Sequence, residues 1–323
     1  MPLRGFLLGV VMGAALLAQA PAVRGKVYAA PRTADGQPDL QGIWNNATIT
    51  PLERPAELGT KAFFTPQEAA AYEGAFNADQ NNRDRRDGGG AVDVARAYNQ
   101  SWFDRGTRVV PSLRTSLITS PADGRIPYTP QALERFAAAA QYSRQHPADG
   151  PEDLSLTDRC LVWFTAGPPM LPGPYNSNYQ IVQTPGYVTI VSEMIHDVRV
   201  IPLDGRRHPP SSIREWAGDS RGHWEGNTLV VDTTNFNSKI KFRGATENMH
   251  LTERFTRTGP DAISYEFTVE DPATFAQPWS AAIPMNRAQG PIYEYACHEG
   301  NYGMAGILSG ARVQEKAMQK GAK

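Results

Sequence analysis

The chain has 323 residues and a formal net charge of −1, from 32 basic and 33 acidic side chains. This balance argues against nucleic acid or an anionic membrane surface as the main partner. The 29 glycines and 26 prolines together predict many turns and few long helices.

The N-terminal segment has the pattern of an export signal. Arg4 supplies a positive charge, residues 5–17 form an apolar run that is short for a membrane span, and Ala-Gln-Ala at 18–20 fits a signal-peptidase site. A second cleavage site lies near residues 27–29, and an uncleaved N-terminal anchor is the alternative. We therefore predict a signal peptide over residues 1–29, a periplasmic or secreted protein, and no later membrane-spanning segment.

Residues 30–177 are polar and rich in loops, and they predict an extension that contains two helices. Each helix begins at a threonine followed by proline, which is a favoured helix start. Thr65 is followed by Glu68 in the spacing of a capping box, and Thr129 precedes an alanine-rich run. The charged stretch NNRDRRDGGGAVD between the two helices predicts a loop.

Residues 178–305 show the alternating pattern of β-strands separated by turn signals. Seven or eight short antiparallel strands of this kind predict a mainly β fold, a lipocalin-like β-barrel or a sandwich. A barrel of about eight strands can hold one small ligand. Residues 306–323 are predicted to form a C-terminal tail. The clearest predicted strands are Tyr179 to Gln183, Tyr187 to Met194, VRVIPL, Thr228 to Thr233, the hairpin from Leu251 to Glu270, and a last strand PIYEYACHE.

The only two cysteines are Cys160 and Cys297. In an exported chain an even pair of cysteines predicts one disulfide. The bond would close a long loop, and loop-closure entropy gives it an upper value of roughly 4 to 5 kcal/mol. Cys297 is therefore predicted to form a structural disulfide rather than to act as a nucleophile or a metal ligand.

The sequence has no nucleophile elbow, P-loop, His-Glu-x-x-His or dinucleotide fingerprint, so candidate residues come from clusters of polar side chains. Glu253 shares a strand face with apolar residues and should point inward, with Arg199 or His298 as its partner. An exposed edge strand is the alternative for Glu253, and a solvated turn is the alternative for His196. The predicted catalytic residues are His196, Glu253, His250, His298 and Arg199, and the predicted substrate-binding residues are Arg221, His223, Asn235, Tyr265, Tyr295 and Trp224.

No pair of histidines has the local spacing of metal ligands, and we predict neither a metal nor a cofactor. A metal bound by His196, His223, His250 and His298 is the alternative. No nucleic acid and, after signal cleavage, no membrane is expected as a partner. A homo-oligomer, or a pairing with a homologous subunit, is left open.

Eight segments of the chain resemble a large family of exported proteins of environmental bacteria. They are PRTADGQPDLQGIW, RTSLITSPADGRIPYTP, DRC, QIVQTPGYVTIVSEMIHDVRVIPLDGR, GDSRGHWEGNTLVVDTTNF, LTERFTR, EFTVEDP and YEYACHE. The resemblance implies that the partner is a small aromatic substrate and that the protein is an ether-cleaving hydrolase or lyase, which acts on lignin-type β-aryl ethers without glutathione. It transfers no catalytic residues. The alternatives are a non-catalytic exported carrier of an apolar molecule and a structural subunit of an envelope complex.

Overall fold

The computed structural model describes residues 28–82 and 103–321. Apart from its last two positions, the predicted signal peptide lies outside these residues, and so does most of the predicted charged loop. Within the described ranges, none of the helices combines the length and the apolar character needed to cross a membrane.

The fold is a nearly closed antiparallel β-barrel with few helices, which confirms the predicted class. Ten strands form one sheet in the order β5-β4-β3-β1-β10-β9-β8-β7-β6, and β2 pairs separately with β10. The strands are β1 Gly42–Asn45, β2 Ile118–Ser120, β3 Asn178–Thr184, β4 Tyr187–Ser192, β5 Val198–Pro202, β6 Asp219–Glu225, β7 Thr228–Thr234, β8 His250–Gly259, β9 Ala262–Glu270 and β10 Trp279–Arg287.

This path contains nine strands. Read from its other end it runs from β6 to β10 in chain order, then through β1, and then from β3 to β5. Every ladder is antiparallel, so the strand direction alternates along the path. Since nine is odd, the two end strands β5 and β6 run in the same direction. They meet at a seam where, in the described part of the chain, no backbone ladder forms. Side chains close the seam instead, because Gly222 leaves room for Ile201 and Leu203.

Large side chains fill the barrel interior, as strand alternation predicts for the inward positions. Trp44, Tyr179, Phe255, Tyr265 and Trp279 are each 0 % exposed. They belong to one continuous apolar cluster that runs through the sheet. The part of the interior that these side chains occupy is therefore a packed core.

The three described helices lie outside the barrel: α1 Pro66–Asn82, α2 Pro130–Gln145 and α3 Gly303–Gly321. The two predicted helix starts are confirmed. The backbone N–H of Glu68 donates to Thr65 Oγ1 while Thr65 N–H donates to the Glu68 carboxylate, and Ala132 N–H donates to Thr129 Oγ1. The helix α3 occupies most of the segment predicted as a tail.

The strand predictions differ from the structure in several places. PIYEYACHE is irregular rather than a strand, and the strands β1, β2, β6 and β10 were not predicted. The strand β10 contains Pro284, which argues against a central strand because proline cannot donate to a ladder. On the edge of β10 that faces away from β9, one stretch pairs with β2 and another pairs with β1. Pro284 lies between these two stretches, so neither strand needs a hydrogen bond from its missing N–H. Since β1 and β2 come from residues 30–177, the sheet is not confined to residues 178–305.

Candidate functional site

A buried ion pair crosses the barrel interior between β5 and β8. Glu253 is 0 % exposed, and its Oε1 accepts hydrogen bonds from Arg199 Nη1 at 3.2 Å and from Tyr265 Oη at 2.8 Å. Arg199 Nη2 lies 2.8 Å from Glu253 Oε2. The predicted inward position of Glu253 and its predicted partner Arg199 are thus confirmed, and His298 is not part of this cluster.

The same cluster holds a loop against the barrel. Tyr265 Oη accepts the backbone N–H of Met170 at 2.9 Å while it donates to Glu253. Burial raises the pKa of Tyr265 well above its ordinary value, and the Glu253 charge raises it further, so the phenol remains a neutral donor. Because Tyr265 is fully buried, it faces no open ligand site.

A small cavity of about 40 Å³ lies beside Arg199 of the ion pair, and its mostly apolar lining includes the polar side chains of Ser192, Asp197 and Arg199. Ser192 Oγ and Arg199 Nε are buried without a hydrogen-bond partner in the described residues. Burial raises the pKa of Asp197, although the nearby His196 opposes the rise. A cavity of this size with several polar atoms suits one or two water molecules, and it excludes an aromatic ring.

A second polar cluster lies on the outer face of the barrel. Asp232 accepts from His208 Nε2 at 2.8 Å and also from His250 Nε2, while His208 Nδ1 contacts Asp219 Oδ2 at 2.5 Å. Burial disfavours the charge of Asp232, but the hydrogen bonds from the two histidines outweigh it and lower its pKa. The hydrogen bond to Asp232 raises the pKa of His250, with a further contribution from Glu270. The structure therefore separates His250 from Glu253, because they are on opposite faces of β8.

The other predicted site residues on this side of the barrel serve local structure. Arg221 Nη2 contacts Asp219 Oδ1 at 2.7 Å, and His223 is exposed beside Glu225 on the outer face. Asn235 donates through Nδ2 to the carbonyls of residues 209, 210 and 213, which holds the loop between β5 and β6. Trp224 is partly buried against the core.

The remaining predicted residues lie at one end of the barrel near the C-terminal segment. His196 is exposed in a 3-10 turn, Met194–His196, and its Nδ1 lies 3.2 Å from the carbonyl oxygen of Tyr295. His298 is exposed. The predicted disulfide Cys160–Cys297 is confirmed, with 5.7 Å between the Cα atoms. The five predicted catalytic residues thus fall into three separate places, and only Glu253 and Arg199 meet.

A cleft of about 1040 Å³ lies outside the barrel. Its walls are the segment 152–168, Leu171, Trp216 and the segment 239–243. Phe164 and Trp216 are 51 % and 38 % exposed, which is high for large aromatic rings. A concave site with aromatic walls and this volume is the usual setting for a small organic ligand.

The packing of both walls fixes the cleft. Trp163 meets Tyr295 edge to face at 6.0 Å between ring centroids, and the disulfide ties the same wall to the C-terminal segment. On the other wall, Phe242 stacks on the buried Trp279 with 6.1 Å between centroids. Tyr295, predicted to bind substrate, therefore supports a lining residue but does not itself line the cleft.

Sequence reasoning missed this cleft. The segment 239–243, KIKFR, alternates cations with apolar residues, and WF at 163–164 follows the first cysteine. These two patterns were the available signals, but they are 75 residues apart and neither shows that the two walls face each other. In the described ranges no group of His, Cys, Asp or Glu side chains has the arrangement of a metal site.

Comparisons with known proteins add no identification. No model of a protein family matches the chain, and no curated protein matches it significantly.

Proposed function

We propose that this protein is an exported enzyme that binds small aromatic ethers in the cleft and cleaves the ether bond by acid–base chemistry. The reaction would release a phenol without glutathione. The observation that carries the proposal is the cleft of about 1040 Å³, whose exposed rings Phe164 and Trp216 can stack on aromatic groups. The disulfide supports export, because such bonds persist mainly in oxidising compartments.

The chemistry needs a base and a cation in the same cleft. Glu152 is the only carboxylate in its lining; it contacts Arg159, and its Oε2 lies 4.0 Å from Lys239 Nζ. In the proposed reaction Glu152 takes the proton of a substrate hydroxyl next to the ether carbon. The resulting alkoxide attacks that carbon, so an epoxide forms as the bond to the aryl oxygen breaks. The neighbouring cations stabilise the departing phenolate until it takes up the proton held by Glu152, which restores the carboxylate.

The buried pair of Glu253 and Arg199 has no role in this reaction, because the cavity beside it is too small for the substrate. The histidines predicted as acid–base groups are also outside the cleft lining. The base is therefore assigned to Glu152 instead of the predicted set.

The test is incubation of the purified, oxidised protein with a guaiacylglycerol β-aryl ether, without added cofactor, while the released phenol is measured by chromatography. We expect release by the wild type and a loss of at least ~100-fold in Glu152→Gln, the size typical of a general base. Glu134→Gln, at an exposed position on α2, is the matched control and should retain the wild-type rate. Absence of release by the wild type, or a normal rate in Glu152→Gln, would contradict the proposed mechanism.

A non-catalytic carrier of apolar molecules is the second candidate. It is favoured by the cleft lining, which contains many apolar side chains and a single carboxylate. Binding of the same ether in the cleft, with no release of phenol over many hours, would support the carrier and exclude the enzyme.

A further inference from the structure

The cleft lining is strongly unbalanced in charge, although the whole chain is nearly neutral. It contains four cations, Arg159, Lys239, Lys241 and Arg243, against the single carboxylate of Glu152. We propose that the ligand of this cleft is an aromatic acid, a ring system that carries a carboxylate. This inference rests on the binding part of the proposed function and names the class of compound that the site selects.

Two of the four cations are already engaged. Arg159 contacts the Glu152 carboxylate, and Lys239 lies within 4.0 Å of it. Lys241 and Arg243 are exposed, and no ion pair or side-chain hydrogen bond joins either of them to another described residue. These two side chains therefore retain their full capacity to bind an anion.

The backbone holds the two cations at a fixed place. They flank Phe242, which packs against Trp279 and Phe267 of the barrel core. The turn Phe242–Gly244 has positive φ angles at Arg243 and Gly244, and a side chain at Gly244 would collide with Phe136 of α2. The glycine thus lets α2 pack directly on the turn. A carboxylate bound here meets cations whose attachment points are already ordered, which lowers the entropy lost on binding.

The cleft also supplies the complementary apolar surface. Trp216 and Phe164 are partly exposed in the same lining, and an aromatic ring that covers them would remove their surface from water. The apolar walls of the cleft concentrate the electric field of its cations. The attraction between these cations and a bound carboxylate is therefore not weakened by the overall charge of −1 on the protein. Rings and cations together favour an aromatic carboxylate over a neutral aromatic compound or an aliphatic acid.

The test uses two ligands that differ in one charge: the β-aryl ether of guaiacylglycerol with vanillic acid, and the methyl ester of the same compound. Their dissociation constants are measured by calorimetry with the whole oxidised protein. We expect the acid to bind about tenfold more tightly than the ester at low salt, the effect of a partly exposed pair of cations. The preference should shrink at high salt, because exposed charges are screened.

The double variant Lys241→Gln with Arg243→Gln should lose the preference for the acid and keep the affinity for the ester. Arg125→Gln, an exposed arginine outside the cleft, is the control and should keep the preference. Equal binding of acid and ester by the wild type, or an undiminished preference in the double variant, would overturn the inference.

Binding and turnover separate this inference from the proposed enzyme. Equal affinities with release of phenol would leave the enzyme standing and remove the acid selectivity. Selective binding of the acid without release would establish the selectivity and exclude cleavage. If neither compound bound, both proposals would fall.

Discussion

At the residue scale, the position of a side chain on its strand decides what it can do. His250 and Glu253 are three residues apart on β8, so one faces outward and the other faces the core. The outward His250 joins His208 on the shared carboxylate of Asp232, where it strengthens the outer surface of the sheet. We therefore expect the two histidines to contribute to stability.

The raised pKa of His250 predicts a pH-dependent contribution to stability. The folded state favours the protonated imidazole, so the contribution is complete below the unfolded pKa of about 6.5 and is lost as the pH rises through the higher folded pKa. The facing groups are Asp232 and Glu270, and the lowered pKa of Asp232 keeps it ionised throughout this window. Because His250 is partly exposed, the expected loss is below ~1 kcal/mol.

Urea unfolding midpoints at pH 6 and pH 9 measure this contribution. His250→Gln should reduce the difference between the two midpoints. His223→Gln is the matched control, since His223 is exposed on the same face and should leave the difference unchanged. A wild-type difference in His250→Gln would show that other groups cause the pH dependence.

At the scale of elements, an odd number of strands creates the weak point of the barrel. The strands β5 and β6 run in parallel and share no ladder in the described chain, so side chains must join them. The ion pair between Arg199 and Glu253 connects β5 to β8 across the interior, two strands beyond the seam. We therefore interpret this pair as a brace for the seam, that is, an interaction that helps to hold β5 in place where it shares no ladder with β6.

Removal of one partner of this brace should destabilise the protein strongly. Arg199→Met or Glu253→Gln should each cost about 3 to 5 kcal/mol, because the remaining polar group stays buried without its partner. The double variant Arg199→Met with Glu253→Met should recover part of this loss, and it should still release phenol if the wild type does. The free energy of unfolding from urea titrations measures the first effect.

An exposed pair on the same strand is the control. Arg254→Gln breaks the contact with Glu225 on the outer face and should cost less than ~1 kcal/mol. If the double variant were as unstable as the single variants, the interpretation of the pair as a brace would be wrong. If the double variant were stable but released no phenol, Arg199 and Glu253 would again be candidate catalytic residues.

At the scale of the molecule, the barrel is a scaffold and the loops build the cleft. One wall, which contains Trp163, is tied by the Cys160–Cys297 disulfide to the segment that precedes α3. The other wall rests on the barrel core through Phe242. The disulfide therefore affects both global stability and the geometry of the cleft.

Replacement of both cysteines by serine should lower the free energy of unfolding by at most roughly 4 to 5 kcal/mol, since the bond closes a long loop in the unfolded chain. The affinity for the aromatic ether should fall as well, because the wall that carries Trp163 loses its anchor. Chemical unfolding and calorimetry measure the two effects. A reducing agent should reproduce both losses in the wild type and change neither in the double variant, and an unchanged wild type would refute this prediction.

The sequence by itself determined the β class, the helix starts at Thr65 and Thr129, the hairpin of β8 and β9, and the disulfide. These features follow from local patterns: alternation along a strand, capping side chains within one turn, and a single possible cysteine pair. The inward position of Glu253 followed from the same alternation.

Only the tertiary structure decided which polar residues meet and where a cleft forms. The seam exists because the path has an odd number of strands, which is a property of the whole sheet. The strand β10 can contain Pro284 because neither β1 nor β2 pairs with it at that residue. The cleft joins segments that are far apart in the chain, and its two walls are brought together by core packing at Phe242 and by the disulfide. Local sequence patterns carry no information on such distant contacts, which is why the predicted histidines do not meet Glu253 in the structure.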